Sequence, residues 1–213
     1  MTVTAGKTQE LLERQQRVMF PIQNAMLYYG GEPLAVERAK DQYLWDVEGN
    51  RYLDFFGGIL TVAVGHCNEA VVEATAAQLR RAGHTSTLYL NEVTIRVAEK
   101  LAEITPGRLQ HTFFTNSGTE ADETAVMAAR AYTGNRDIIA LRHSYSGRSA
   151  AMMGVTGHSN WRQGGVYDAS VKHVRSPNMY RRPEQMSEEQ YLDFLVEDFE
   201  DFLATSTDGR IAG

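Results

Sequence analysis

Apolar residues recur every three to four positions in five long stretches of the chain, which is the spacing of amphipathic helices. Residues that favour the position just before a helix, such as Asn68 and Asn91, stand in front of these stretches. Ser187 is followed three residues later by Gln190, a pair typical of a capping box, and Gly134 follows one predicted end. The pattern predicts helices over residues 8–19 with Thr8 as its cap, 69–82, 92–104, 119–132 and 187–205.

Shorter apolar segments between turn residues indicate strands. Residues 43–56 indicate a hairpin with a Glu-Gly-Asn turn, and four more segments indicate single strands: 61–66, 111–115, 137–142 and 169–174. The strand at 111–115, the helix after it and the strand at 137–142 follow one another within ~30 residues, which is the order of a βαβ unit. Such a unit predicts a parallel sheet.

The last residues, Ile211, Ala212 and Gly213, follow a Thr-Asp-Gly turn and have the pattern of the beginning of a buried strand. A domain rarely ends at such a point. We therefore expect the chain to be the N-terminal part of a longer protein, poorly stable and prone to associate when it is alone. The expected fold class is α/β, with an incomplete, mostly parallel sheet flanked by helices and a small N-terminal hairpin segment.

Composition narrows the classes of function. The 213 residues are 43% hydrophobic and 23% charged, as in an ordinary globular protein. The net charge of -6 argues against a broad nucleic-acid surface, and no apolar run is long enough to span a bilayer. The single cysteine, Cys67, favours a reducing cytoplasm, and the six histidines lack the spacing of a structural zinc site.

The segment FFTNSGTEADETAVMAAR, residues 113–130, places a polar hinge between a predicted strand and a predicted helix. Two interpretations stay open. In one, Ser117 and Glu120 form a capping box that starts the helix, worth about 1 kcal/mol without any ligand. In the other, the hydroxyls and backbone N–H groups of Ser117, Gly118 and Thr119 bind an anion. Three acids follow in the first turn and oppose a bound phosphate unless their side chains point sideways.

The loop HSYSGRS, residues 143–149, follows the next predicted strand. Ligands bind at the carboxyl ends of the strands in doubly wound sheets, so we expect this loop and the hinge to face one ligand. Tyr145 beside Gly147 offers a flat aromatic side chain, which suits a phosphorylated planar ring. The alternative for Tyr145 is a loop aromatic packed against the core. A Rossmann-type nucleotide site is disfavoured because the chain has no GxGxxG segment.

Taken together, NSGTEADETAVMAAR and HSYSGRS resemble the class III pyridoxal-phosphate aminotransferases of fold type I. The segments LWDVEGNRYLDFFGGI, VGHCNEAVVEA and TSTLYLNEVTIRVAEKLAEI fit the same family. The resemblance implies that residues 1–60 form a helix and β-hairpin segment of a small domain. It implies that residues 61–213 form the first part of the large pyridoxal-phosphate-binding domain. It also implies a homodimer that transfers an amino group from an amino acid or ω-amino acid donor to a 2-oxo acid.

By position, the resemblance implies that four residues bind the cofactor: Ser117, Gly118, Thr119 and Tyr145. It also implies that Ile59 lines the substrate pocket. Backbone N–H groups of Gly118 and Thr119 and the Thr119 hydroxyl would hold the phosphate of pyridoxal phosphate, and Ser117 would assist. Tyr145 would stack on the pyridine ring. The chain departs from the family at Ser146, where the family often has His, so no role of that His transfers.

The family also uses a lysine, which forms a Schiff base with the cofactor, and an acid that faces the pyridine nitrogen. The four lysines of this chain, Lys7, Lys40, Lys100 and Lys172, do not occupy the family's lysine position. We therefore assign no catalytic residue within the chain. Two classes of function stay open. In the first, this chain is one part of an aminotransferase or of a related mutase or epimerase. In the second, it is a non-catalytic pseudoenzyme or interaction subunit that keeps the phosphate-binding residues 117–119, which we call the phosphate cup.

Overall fold

The computed structural model of the protein describes residues 6–20, 33–162, 164 and 167–213. The chain forms two compact units, the first ending at Ile95 and the second beginning at Arg96. The expected domain division between residues 60 and 61 is not tested by these units and stays a prediction.

The first unit contains a three-stranded antiparallel sheet in the order β1-β2-β3, formed by β1 (Val36–Lys40), β2 (Tyr43–Asp46) and β3 (Arg51–Leu53). Strands β2 and β3 are the predicted hairpin. The Asp46 carboxylate closes its turn by accepting the N–H groups of Glu48 at 3.0 Å and Asn50 at 2.7 Å. Strand β1 has no counterpart in the sequence prediction because most of its side chains are exposed and carry no buried-face pattern.

The helices are α1 (Lys7–Val18), α2 (Glu69–Ala82) and α3 (Glu92–Ile104), the last of which continues into the second unit. Side-chain oxygens of Asn68 and Asn91 accept N–H groups of the first turns of α2 and α3, so both predicted caps are confirmed. The predicted cap of α1 is wrong, because Gly6 precedes the helix and Thr8 lies inside it. Thr8 instead donates its N–H and hydroxyl to Glu48, at 2.9 and 2.8 Å.

The predicted buried strand at 61–66 does not form. It follows a single helical turn, Gly57–Leu60, whose φ angles are all positive, and the chain turns again at Gly65, where φ is 88°. His66 alone makes a bridge there, with Asp41, and Val64 is 68% exposed. Successive left-handed residues cannot extend into a strand, which is why an apolar segment of the right length becomes a turn.

The second unit contains α4 (Gly118–Thr133), β4 (Ile138–Leu141), α5 (Ala150–Val155), β5 (Val171–Val174) and α6 (Glu188–Ser206), with 3₁₀ turns at Ser159–Trp161 and Met179–Arg181. Strands β4 and β5 are parallel, with Ile138 opposite Val171 and Leu141 opposite Val174. On the other edge of β4, Ile211 forms a parallel bridge with Asp137. The predicted strands at 137–142 and 169–174 are therefore confirmed, the second starting two residues later than predicted.

The predicted strand at 111–115 is wrong, since these residues are irregular. A strand depends on hydrogen bonds to a neighbouring strand, and no segment in the described part of the chain pairs with this one. The parallel connection runs instead from β4 through α5 to β5. The βαβ unit therefore lies one strand later in the chain than predicted.

The core of the second unit lies along β4 and β5. Among the described residues, the buried hydrophobic side chains belong to these strands and to the helices α5 and α6: Ile138, Ala140, Met152, Val174 and Tyr191. Both bonds of the predicted capping box of α6, between Ser187 and Gln190, are present. Within the described ranges, no helix has the length and apolar character needed to cross a membrane.

Candidate functional site

The polar hinge before α4 caps the helix, as the first interpretation predicts. Ser117 is extended, with φ -155° and ψ 159°, and its hydroxyl oxygen accepts the N–H of Glu120 at 3.2 Å. The Glu120 carboxylate accepts a backbone N–H in return, from Asn116 at 2.7 Å and not from Ser117 itself. The Ser117 side chain therefore binds the N–H of Glu120, and it does not bind the N–H groups of the two preceding helical residues, Gly118 and Thr119.

The backbone N–H groups of Gly118 and Thr119 have no hydrogen-bond acceptor within the described part of the chain. A Cβ atom placed on Gly118 would find no atom within 4 Å beyond its chain neighbours and its own helix, so the side of Gly118 that a side chain would occupy is open. Free N–H groups at a helix N-terminus attract anions through their hydrogen-bonding capacity and the helix dipole. Capping and anion binding are therefore compatible here, because they use different donors.

Two of the three acids in the first turn of α4 are held by hydrogen bonds. Glu120 is bonded to Asn116, and the Glu123 carboxylate accepts the hydroxyl of Ser149 in a short hydrogen bond. Asp122 is exposed. Two of the three carboxylates thus accept hydrogen bonds from residues of the same chain, which offsets part of their charge and weakens the electrostatic objection to a bound phosphate.

The loop at residues 143–149 packs directly on the first turn of α4. Gly147, with φ 135°, lies so close to Thr119 that a Cβ placed on it would be 2.9 Å from the Thr119 Cβ. The next residue, Arg148, donates its N–H to the Thr119 hydroxyl at 3.4 Å. The structure therefore brings together the two segments that the sequence predicts to share one ligand.

Thr156, which sequence reasoning missed, fixes this loop from behind. It is completely buried, and its hydroxyl oxygen accepts the N–H of Ser146 at 3.0 Å. The following Gly157 donates its N–H to the Ser144 carbonyl at 3.0 Å. A buried threonine just after a short helix is too common a pattern for the sequence alone to mark it.

Tyr145 is 52% exposed and is held by a second aromatic side chain. Its ring centroid lies 5.3 Å from that of Trp161, at an interplanar angle of 70°, the edge-to-face arrangement that aromatic pairs favour. The Arg148 guanidinium lies 5.5 Å from the Trp161 ring centroid. Trp161 is distant in the sequence from both residues, so only the fold reveals that it orients Tyr145.

Ile59 lies in the first unit, within the turn Gly57–Leu60, and is 74% exposed. Its φ of 61° is unusual for a β-branched residue, and left-handed backbone costs roughly 1–2 kcal/mol per L-residue. Strain of this kind concentrates at functional sites, where surrounding contacts maintain it.

Three of the four lysines have described partners outside these groups. Lys7 pairs with Glu37, Lys40 donates to the Cys67 carbonyl, Lys100 pairs with Glu103, and Lys172 lies in β5. Among the contacts of the described residues, none joins a lysine to residues 117–119 or 143–149.

Comparison with known proteins identifies the family. Residues 28–213 match the class-III aminotransferase family. The chain belongs to the class-III aminotransferases. It is 40% identical over 210 residues to alanine–glyoxylate aminotransferase 2 homolog 2, mitochondrial, of Arabidopsis thaliana, which covers 99% of this chain and 42% of that protein. It is 41% identical over 136 residues to acetylornithine aminotransferase of Bacillus subtilis, covering 64% of this chain and 35% of that protein.

Solved class-III aminotransferase structures show the same fold. An (S)-enantioselective omega-transaminase from Thermomicrobium roseum superposes with a TM-score of 0.84 at 30% identity, over 99% of this chain and 49% of that one. The chain thus spans about half the length of the solved structure and 42% of its Arabidopsis relative. The predicted family and α/β fold class are confirmed. Class-III aminotransferases depend on pyridoxal phosphate.

Proposed function

We propose that this chain supplies the phosphate cup of a pyridoxal-phosphate-dependent aminotransferase. The observation that carries the proposal is the contact between Thr119 and Gly147, beside two free N–H groups at the start of α4. These donors fit a phosphate dianion, because charge-assisted hydrogen bonds are worth roughly 1.5–3 kcal/mol each. A phosphate here would be held without disturbing the helix cap.

Each residue of the predicted set has a part in this proposal. Gly118 and Thr119 donate their N–H groups to the phosphate, and Gly118 leaves the clearance that a side chain would fill. The hydroxyls of Ser117 and Thr119 already accept one bond each and still have a proton to donate. Tyr145, oriented by Trp161, stacks on the pyridine ring. The bound cofactor supplies the electron-withdrawing ring that amino-group transfer requires.

The substrates we propose are an amino acid or ω-amino acid donor and a 2-oxo acid acceptor, with Ile59 as one wall of the donor pocket. The relatives' names include alanine–glyoxylate, acetylornithine and omega-transaminase activities, so the family supports amino-group transfer without fixing the donor. We also propose a homodimer, since Leu88 and Leu90 are 89% and 95% exposed, and a cytoplasmic location, which suits the exposed thiol of Cys67.

The 213-residue chain alone should bind the cofactor without transferring amino groups, because no contact among the described residues joins a lysine to residues 117–119 or 143–149. General acid–base assistance is worth typically 10²–10⁴-fold in rate, and the chain lacks the base that would provide it. A coupled assay with alanine and 2-oxoglutarate tests this. Clear turnover by the purified chain would contradict it, whereas cofactor binding without turnover would also fit the pseudoenzyme alternative.

The cup itself is tested by absorbance titration with pyridoxal phosphate. We expect Thr119→Ala to weaken the affinity by about tenfold or more, through the loss of one charge-assisted bond. Gly118→Val should weaken it similarly, because its side chain fills the space that the phosphate needs, and Tyr145→Ala should weaken it less. Ala128→Val, on an exposed position of the same helix, is the matched control. Because Gly118 faces open space, its Val variant should fold normally. Equal affinity for wild type and Gly118→Val would contradict phosphate binding at this site and leave helix capping as the only role of the hinge.

A further inference from the structure

A cavity of about 540 Å³ lies at the carboxyl ends of β4 and β5 in the second unit. Five basic residues contribute to its lining: Arg142, His143, His158, Arg175 and Arg181. None of the described residues that line it is acidic, although the chain as a whole has a net charge of -6. Its volume falls in the range of small-molecule sites, roughly 300–1,000 Å³. The cavity therefore combines the size of a ligand site with a concentration of positive charge.

Two of its three arginines have no partner for their charge. Within the described part of the chain, no hydrogen bond or ion pair joins the guanidinium of Arg142 or Arg181 to another residue. Arg175 differs, because its Nε lies 3.5 Å from the Asp198 carboxylate of α6. One carboxylate beside three guanidinium groups leaves an excess of positive charge at the cavity, which favours an anion there.

The backbone holds both unpaired arginines in place. Arg142 donates its N–H to the Val174 carbonyl at 2.8 Å, and its own carbonyl accepts the Ser176 hydroxyl in a short hydrogen bond. Arg181 donates its N–H to Asn178, whose side-chain oxygen lies at 3.3 Å and whose carbonyl lies at 3.1 Å. A ligand that binds the two guanidinium groups therefore has only side chains to order, which lowers the entropic cost of binding.

Asn178 and Tyr191 add uncharged donors to the lining. The Asn178 side-chain oxygen accepts the N–H of Arg181, and its NH₂ group has no acceptor among the described residues. Tyr191 is only 5% exposed, yet its hydroxyl makes no hydrogen bond to any described residue. The hydroxyl is not among the fully buried polar atoms without a partner, so it keeps access to solvent. Buried hydroxyls ordinarily have partners, and a ligand in the cavity would provide one.

We propose that this cavity binds a small organic polyanion, one that carries phosphate or carboxylate groups. Guanidinium groups match both kinds of oxyanion, because their N–H donors form paired bonds to two oxygens. Arg142 and Arg181 supply the charge-assisted bonds, and Asn178 and Tyr191 supply neutral ones. The cavity includes neither residues 117–119 nor Tyr145, so this site is additional to the phosphate cup.

The test is calorimetric titration of the native protein with inorganic pyrophosphate and, separately, with citrate, at an ionic strength held constant with sodium chloride. The protein is loaded with pyridoxal phosphate and freed from excess, because the phosphate cup would also accept a phosphate. We expect saturable binding of one anion per chain. If the protein takes up no pyridoxal phosphate, the proposed function fails, and the same titration of the unloaded protein still tests the cavity.

The arginine variants assign the binding to the cavity. Arg142→Gln and Arg181→Gln should each weaken the affinity by about tenfold or more, the loss of one charge-assisted bond. Arg142→Lys keeps the charge and should bind more tightly than Arg142→Gln. Arg108→Gln is the matched control, because it removes the same charge from an exposed arginine outside this cavity, and its affinity should equal that of wild type.

Two further variants test the neutral donors. Asn178→Asp keeps an oxygen that can accept the Arg181 N–H and adds a negative charge to the cavity. It should weaken the affinity by about tenfold or more without a change in thermal unfolding, because the added carboxylate repels the anion. Tyr191→Phe removes the hydroxyl alone and should weaken the affinity severalfold, less than the arginine changes do.

The absence of saturable binding of either anion to wild type would overturn the proposal. Wild-type affinity in both Arg142→Gln and Arg181→Gln would do the same, and so would wild-type affinity in both Asn178→Asp and Tyr191→Phe, because the anion would then lie elsewhere. An equal loss in Arg108→Gln would show that net charge alone governs binding, which also contradicts a built site. Binding of pyrophosphate alone would identify phosphate groups as the recognised chemistry, and binding of citrate alone would identify carboxylates.

Discussion

At the scale of single residues, Thr119 is where the two segments of the candidate site meet. Its N–H is free, its hydroxyl accepts the N–H of Arg148, and its side chain fills the space in front of Gly147. A residue with two such contacts and a free N–H group is sensitive to its neighbours as well as to a ligand. Gly147 is the neighbour with the least freedom, because both its φ of 135° and the adjacent Thr119 exclude a side chain.

We therefore predict that Gly147→Ala releases the loop at residues 143–149 from α4. Overpacking of this kind costs typically about 1–3 kcal/mol, so exchange of the Arg148 N–H should rise by about tenfold or more. Gly209→Ala is the matched control, because Gly209 also has a positive φ of 79° but faces open space. If the two variants raise exchange equally near their own positions, backbone strain and not the Thr119 contact is responsible.

Asp168 gives a prediction about pH. The N–H of Ser170, its hydroxyl and the Arg130 guanidinium lower the pKa of Asp168 to about 2. The folded pKa lies below the unfolded value of about 3.9, so this group stabilises the fold above about pH 4 and stops doing so as the pH falls towards 2. Asp168 and Arg130 are both partly exposed, so we expect a contribution under about 1 kcal/mol.

Urea unfolding of wild type and Asp168→Asn, at a series of pH values from 6 to about 2, measures this contribution. The asparagine keeps an oxygen that can accept the Ser170 N–H, and it cannot ionise. The wild type should be the more stable at pH 6, and the difference should shrink as the pH falls. A difference that is constant with pH would show that Asp168 acts without its charge.

At the scale of elements, the N-terminus of α4 combines a cap with an anion site, and one substitution separates them. Aspartate caps a helix about as well as serine, so Ser117→Asp should leave stability within a few tenths of a kcal/mol. It also places a negative charge beside the two free N–H groups. We predict that Ser117→Asp keeps wild-type stability and binds pyridoxal phosphate at least about tenfold more weakly, from like-charge repulsion.

Ser117→Ala is the complementary variant. It removes the acceptor of the Glu120 N–H and should cost about 1 kcal/mol in stability. Its cofactor affinity should fall less than that of Ser117→Asp, because the N–H groups remain. Thermal unfolding and absorbance titration of the three proteins decide between the roles. Equal cofactor affinity in wild type and Ser117→Asp would mean that no phosphate binds there.

The elements that could be predicted are those whose signals are local. The starts of α2, α3, α4 and α6 were readable because a cap and an apolar period lie within a few residues of each other. The segment 111–115 has a strand-like sequence but no described partner strand. The sequence of one segment does not show which other segment will form hydrogen bonds with it. The strand predicted at 61–66 was wrong because its apolar pattern does not reveal the left-handed turn that precedes it.

At the scale of the whole molecule, the sequence motifs of the candidate site could be predicted, whereas the residues that hold those motifs in place could not. The hinge and the loop at 143–149 are contiguous in sequence, so their residue types could be read directly. Thr156 and Trp161 support the loop through contacts that exist only after β4 and α5 have packed. The hydrogen bond between Glu123 and Ser149 could not be foreseen either, because Ser149 comes from the loop beyond β4.

The exposure of large apolar side chains favours association of the chain with itself. Five hydrophobic side chains are buried among the described residues, whereas many large apolar ones are exposed. In the first unit, Leu88 and Leu90 are 89% and 95% exposed, and in the second, Tyr132 and Tyr180 are 93% and 92% exposed. Exposed apolar side chains favour self-association in water, because apolar area leaves water when copies of the chain meet.

We therefore expect the purified 213-residue chain to elute as dimers or larger species in size-exclusion chromatography with light scattering, and to melt broadly by circular dichroism. The double variant Leu88→Gln/Leu90→Gln should shift the chain towards smaller species, because it removes two side chains that gain most from leaving water. Glu69→Gln, which changes an exposed polar residue, is the control. A sharp cooperative melt from a clean wild-type monomer would contradict this expectation, because the buried residues along β4 and β5 would then suffice to close a stable core.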